Sequence, residues 1–261
     1  MNFKQEFRQF ILPLKGLDKK VTIIFLSVAV LQTISWYFTS RQFFRDNFFL
    51  LFESSTDVYL FEFLYWFAGD FLVLLVIPFL IIKIFLREKI SEYGLIIGNY
   101  KTGLTLSFIF LAVMFPIVWF ASSSQSFSSA YPMLNSIKDS WIHFFIFESG
   151  LLLYMFAWEF IWRGFTLFGL KEKFGAYSIF IQMIPFVILH NGKPELETFG
   201  AIIAAIALGV LAFRTRSILY GVLTHFGVMF MIELFSILRF KSGNYGTGLN
   251  SFIEVMNQLF N

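Results

Sequence analysis

Four ionisable side chains lie in strongly apolar surroundings in the second half of this chain. Glu159 and Arg163 belong to the run TrpGluPheIleTrpArgGly at 158–164, His190 ends PheValIleLeuHis at 186–190, and His225 sits in LeuThrHisPheGly at 223–227. A charge placed in hydrocarbon costs roughly 2.5–3.5 kcal/mol on insertion scales, so such groups face one another or a wet cavity. Carboxylate, imidazole and guanidinium are also the set that acid–base hydrolysis needs: a base for the water, an acid for the leaving group, a positive charge for a developing oxyanion. Glu159 and Arg163 are four apart with Glu first, which puts them on one helix face as an ion pair.

A second group follows at once. The run HisAsnGlyLysProGluLeuGlu at 190–197 stops a helix at AsnGlyLysPro and supplies Lys193 and Glu197 close to His190. Glu197 is a second candidate base, and Lys193 offers a positive charge to an oxyanion. Glu148 shares a helix face with Glu159, three turns earlier. Glu233 lies two turns past His225 and reads as a packing group, and His143 as interfacial.

The elements that position these residues are membrane helices. Hydrophobic residues make up 57% of the 261-residue chain and mean hydropathy is +0.72, above the roughly half-apolar composition of soluble domains. Without cysteine there is no disulfide, thiolate site or cysteine nucleophile. A net charge of +3 reflects topology and implies no nucleic-acid partner. A crossing helix needs about 20 apolar residues, which predicts about seven spans (six to eight): 21–40, 58–86, 103–121, 140–168, 175–190, 199–213 and 216–238. The fifth and sixth are short, and the second is tilted or broken near Pro78. Residues 1–20 read as an interfacial amphipathic segment, with Phe3, Phe7 and Phe10 on one stripe and a break near Pro13. Residues 21–139 read as peripheral helices, 140–240 as the core built from the last four spans, and 241–261 as a surface tail. The run Val21 to Phe38 is a first transmembrane helix rather than a cleavable signal. Most Lys and Arg fall on the N-terminal side, predicting a cytoplasmic N-terminus in the cytoplasmic membrane.

In order and spacing these residues resemble the CPBP family of intramembrane proteases, the CAAX prenyl endopeptidase and bacteriocin-processing proteins. That family carries GluGlu-x-x-x-Arg, Phe-x-x-x-His and His-x-x-x-Asn on successive helices. Here Glu159 and Arg163 match the second Glu and the Arg, Phe186 and His190 the second motif, and His225 the third. Trp158 replaces the family's water-activating first Glu, and Met229 its oxyanion-holding Asn. A His-x-Gly-Lys-Pro run with a trailing Glu, beside Trp-Glu-x-x-x-Arg, is similar to that of bacterial members of the family.

The resemblance implies an all-α polytopic peptidase that cleaves a peptide or membrane-protein substrate in the bilayer. In a peptidase of this kind Glu159, or else Glu197, takes a proton from a water that His190 holds or whose proton it shares, and His225 with Lys193 or a backbone amide stabilises the tetrahedral oxygen. No cofactor is expected. Two His and a Glu are a zinc ligand set as well, but His-Glu-x-x-His spacing is absent. One alternative keeps the fold without hydrolysis, as a peptide-binding, immunity or regulatory protein; a third and less favoured reading is a small transporter using Asp70 and Glu159. On depth alone, His190 falls roughly 10 Å from Glu159 and His225 at about 1.5 Å per residue. They meet only if the fifth span sinks inward or ends re-entrantly.

Overall fold

The computed structural model describes residues 2–260; Met1 and Asn261, the outer ends of the first and last expected segments, lie outside the described residues. Every regular element among the described residues is helical. α1 (Phe3–Ile11) leads, with Phe3, Phe7 and Phe10 exposed, and ends in a 3-10 turn over Leu12–Leu14 that holds Pro13. An exposed row of rings on a short polar helix suits the bilayer surface. Then come α2 (Lys19–Thr39), α3 (Arg41–Asn47), α4 (Val58–Leu86), α5 (Tyr100–Ala121) and α6 (Trp141–Phe174). After a short α7 (Tyr177–Ile188) follow α8 (Glu195–Thr215), α9 (Leu219–Ser242) and α10 (Leu249–Asn257). Six of these, α2, α4, α5, α6, α8 and α9, are long and apolar enough to cross a membrane.

The fifth expected span is short, as α7. The sixth is not: α8 starts at Glu195, where Glu195, Glu197 and Thr198 interrupt the apolar run that marks it in the sequence. Acidic residues in a first turn complement the positive end of the helix, so polarity here marks a helix start rather than a loop. The tail holds α10, whose Val255 is buried.

Side-chain caps begin the spans. Asp18 accepts the Val21 amide, Asn99 that of Thr102 and Ser140 that of His143, each taking up an orphan donor of a first turn. Pro78 does not break α4. Wider π-helical turns at Leu72–Val76 and Ile81–Leu86 flank it, which keeps the helix continuous although the ring removes one donor.

The core lies along α6. Phe63 and Phe67 of α4 meet Phe147 edge-on at 5.2 and 5.4 Å between ring centres, and Phe67 meets Tyr154 at 5.5 Å. On the other flank, Phe235 of α9 packs edge-on against Phe115 and Trp119 of α5. The turns that precede α5 and α9 are stitched together. The Asn99 amide bonds the Thr215 carbonyl and the Ile218 amide the Gly94 carbonyl, each at 3.0 Å. Gly98 allows this: its φ is +59°, and a Cβ there would sit 2.1 Å from the Thr215 oxygen.

At the far end of α9, Arg239 is fully buried over the Trp119 ring at 3.8 Å. Its guanidinium donates to Ser122 Oγ and to the Trp119, Asn244 and Gly246 carbonyls. This fork joins α5, α9 and the segment into α10, and an ammonium cannot reproduce its planar geometry. Arg239→Lys is therefore expected to destabilise the fold by about 1.5–3 kcal/mol, the value of a lost hydrogen bond to a charged group. A fall in the thermal midpoint of the detergent-solubilised protein would register it.

Candidate active site

Glu159 ends the α-helical part of α6, and Phe160–Phe168 continue as a π-helix. Thr166 Oγ donates to the Ile161 carbonyl, five residues back, as the wider turn permits. Within this stretch Arg163 Nη1 donates to Glu159 Oε1 at 2.9 Å, and neither side chain has any solvent exposure. The same oxygen accepts from His225 Nδ1 at 2.7 Å. The expected i,i+4 pair is thus present, and the imidazole of α9 completes it.

Close approach of α6 and α9 depends on Gly221, one turn before His225. A Cβ there would lie 2.6 Å from Glu159 Oε2. The four-residue spacing from His225 was visible in the sequence; the need for a missing side chain was not.

His190 reaches the site by a local rearrangement. At the end of α7 the His190 amide bonds the Val187 carbonyl at 3.0 Å, tightening the last turn. That leaves the Phe186 carbonyl without its usual amide partner, and His190 Nδ1 donates to it at 2.7 Å. A carbonyl oxygen only accepts, so the proton sits on Nδ1 and Nε2 carries a lone pair. His225 Nδ1 is engaged by a carboxylate and has the same assignment.

The ring of Phe186 joins the two arms. Its centre lies 4.5 Å from the His190 ring and 5.9 Å from the His225 ring, and the Arg163 guanidinium sits over it at 4.3 Å. Despite the expected difference in depth, both imidazoles thus lie against one side chain. Trp158 is buried beside it, with ring centres 5.9 Å from Phe186 and 6.4 Å from His190. An apolar ring therefore fills the place where the resemblance calls for a first Glu. Met229 is likewise buried.

Glu197 and Lys193 bond one another rather than the Glu159 group. Lys193 Nζ lies 2.6 Å from Glu197 Oε1, Tyr131 donates its hydroxyl to Glu197 Oε2 at 2.7 Å, and Lys193 donates to that hydroxyl at 3.2 Å. Burial, with Glu197 beside it, holds the Tyr131 phenol well above its ordinary pKa. The turn between α7 and α8 keeps this network next to His190: Thr198 Oγ and the Lys193 amide both donate to the His190 carbonyl. Tyr131 lies 62 residues before Lys193, and no local pattern in the sequence points to it.

The remaining acids have other surroundings. Glu233 accepts the Met133 amide, while both oxygens of Glu148 are buried without a protein partner. Asp70 accepts from Thr39 and Trp66, and Glu62 is clasped by Arg41 and Arg45. His143 lies 3.3 Å from Asp57.

Burial pushes the His190 imidazole from its ordinary 6.5 down to about 4; Lys193 and His225 add to the effect, and the Phe186 carbonyl and Glu197 oppose it. Between those values the unfolded chain binds more protons than the folded one, so His190 makes stability fall as pH drops from about 6.5 to about 4. Thermal midpoints across that range should show a shallower acid slope for His190→Gln than for the wild type. Gly221→Ala forces its Cβ against the Glu159 carboxylate, at about 1–3 kcal/mol for overpacking. Its thermal midpoint is expected to fall, and a midpoint equal to the wild type's would mean that α9 yields freely at this contact.

No curated protein and no solved structure matches the chain. Residues 139–231 match the family model described as Type II CAAX prenyl endopeptidase Rce1-like. That segment runs from the start of α6 into α9 and contains Glu159, Arg163, His190 and His225. The match and the motif order agree: over residues 139–231, which hold all four of these residues, the protein is similar to the CAAX prenyl endopeptidase family.

Proposed function

We propose that the protein is an intramembrane peptidase in which His225 is the proton acceptor and Glu159 the residue that orients it. The observation that carries this reading is that both imidazoles pack against the Phe186 ring and have Nδ1 engaged by an acceptor, which leaves each Nε2 with a lone pair. Glu159, expected from the sequence as the first-choice base, is better suited to positioning. It is fully buried and one of its oxygens already accepts from both Arg163 and His225. A carboxylate so placed fixes the tautomer of an imidazole and stabilises its protonated form.

In the proposed reaction, neutral His190 accepts a hydrogen bond from the attacking water through Nε2. His225 Nε2 takes a proton as the water oxygen bonds to the peptide carbonyl carbon. The C–N bond then breaks, and His225 returns the proton to the leaving amine. Glu197 and Lys193, beside His190, form the charged mouth, with Lys193 the cation available to the carbonyl oxygen. The substrate is a peptide or membrane protein that enters from the bilayer. The N-terminus lies on the cytoplasmic side of a cytoplasmic membrane, following the bias of Lys and Arg.

The proposed reaction uses no metal. Metal-bound imidazoles commonly show this same Nδ1 pattern, with carboxylate or carbonyl partners, so chelation is the discriminating step. A second reading is favoured by Trp158, whose buried ring abuts His190 where the family's catalytic carboxylate belongs: a member that binds peptides without cutting them.

One assay separates these readings. Purified protein in proteoliposomes is given bilayer-spanning peptides, and the products are sequenced by mass spectrometry. New termini are expected with the wild type and after thorough chelation. Glu159→Gln is expected to cut roughly 10²–10⁴-fold more slowly, and His190→Ala and His225→Ala to give no product. Cleavage that persists in both histidine variants contradicts the peptidase reading. Peptide retention without cleavage, unaffected by His190→Ala, favours the binding one.

A further inference from the structure

A cavity lies well away from the two histidines, on the face where α2 begins and α6 and α8 end. It has a volume of about 530 Å³ and is lined by Lys20, Tyr93, Phe168, Lys171, Glu172 and Arg216, among others. Ends of membrane-crossing helices mark the bilayer surface, so this cavity opens at the depth of lipid headgroups.

Its charges are unequally matched. Lys20 is paired with Glu88 at 2.9 Å, and Glu172, 86% exposed, leans to Lys20 at 4.0 Å. Among the described residues no carboxylate lies within 4.0 Å of Lys171 or Arg216. Glu92 lines the rim without an ion pair. Lys171 rests its ammonium 4.1 Å above the Phe213 ring, so an apolar base replaces a counter-ion. Arg216 holds φ +61°, a left-handed conformation uncommon outside glycine and asparagine, as the last residue capping α8. The frame behind them is rigid: Ile218 bonds Gly94, Asn99 bonds Thr215, and the Tyr220 hydroxyl donates to the Ile97 carbonyl at 2.7 Å.

We propose that this cavity binds the phosphate of an anionic phospholipid headgroup through Lys171 and Arg216, with Ile96 and Phe168 against the glycerol and upper acyl region. Two unmatched cations at headgroup depth, in a concavity between helix ends, are the features that recognise such lipids. The site stands apart from the histidines, but α9 starts three residues after Arg216 and carries His225 one and a half turns further on. Bound lipid therefore steadies the helix that supplies the proposed base.

The test is native mass spectrometry of the detergent-solubilised full chain, titrated separately with phosphatidylglycerol, phosphatidylcholine and inorganic phosphate. The wild type is expected to retain phosphatidylglycerol in preference to both others. The double variant Lys171→Gln/Arg216→Gln should lose roughly thirtyfold in affinity, as expected for two basic side chains at a bilayer surface. Lys4→Gln/Arg8→Gln, which removes equal charge from α1, should bind as the wild type does. Equal retention of phosphatidylcholine, equal binding of inorganic phosphate, or an equal loss in the Lys4/Arg8 variant each overturns the proposal. A thermal midpoint for the cavity variant equal to the wild type's shows that the fold survives the change.

Discussion

A carboxylate with no solvent, held between a guanidinium and an imidazole, sets the geometry of this bundle. Glu159, alone in hydrocarbon, would cost several kcal/mol. Arg163 supplies the opposite charge from its own helix, and His225 supplies a second donor from α9. Once made, such a group is costly to break, since removing one partner strands a buried charge at about 3–5 kcal/mol. It fixes how closely α6 and α9 approach, and Gly221 is the residue that makes that approach possible. The π-helical stretch that begins after Glu159 changes which side chains of α6 face inward, and wide turns of this kind are frequent at functional sites.

Phe186 is the second organising element. It carries the Arg163 guanidinium on its face, lies between the two imidazoles, and lends His190 its carbonyl. One residue of a short helix thereby places two rings from different helices in one site. The shortness of α7 is part of the arrangement. Its tightened last turn brings His190 inward, buried against the Phe186 ring, while Ile188 beside it stays exposed.

The helices were legible because lipid demands long apolar runs, and 58–86 was readable to the residue. Boundaries slipped where polarity had a local cause, as at Glu195 and Glu197 in the first turn of α8. The ion pair was legible from its four-residue spacing, and the approach of His225 from the order of the motifs. The remainder depends on tertiary contact. Tyr131 meets Lys193 and Glu197 from a distant loop, and a π-helix leaves no mark on a four-residue repeat. The freed Phe186 carbonyl likewise exists only once the last turn of α7 tightens. The sequence nevertheless shows, in Trp158 and Met229, where this chain departs from the motifs it otherwise follows, and both side chains are buried in the folded protein.

Tautomers decide whether the two imidazoles are poised as described. Nitrogen-15 NMR of the protein labelled at histidine, in lipid nanodiscs at neutral pH, with His190 and His225 assigned by substitution, reads them directly. The account requires a protonated Nδ1 and a bare Nε2 at both residues. Protonation of Nε2 at either one, with Nδ1 bare, contradicts it.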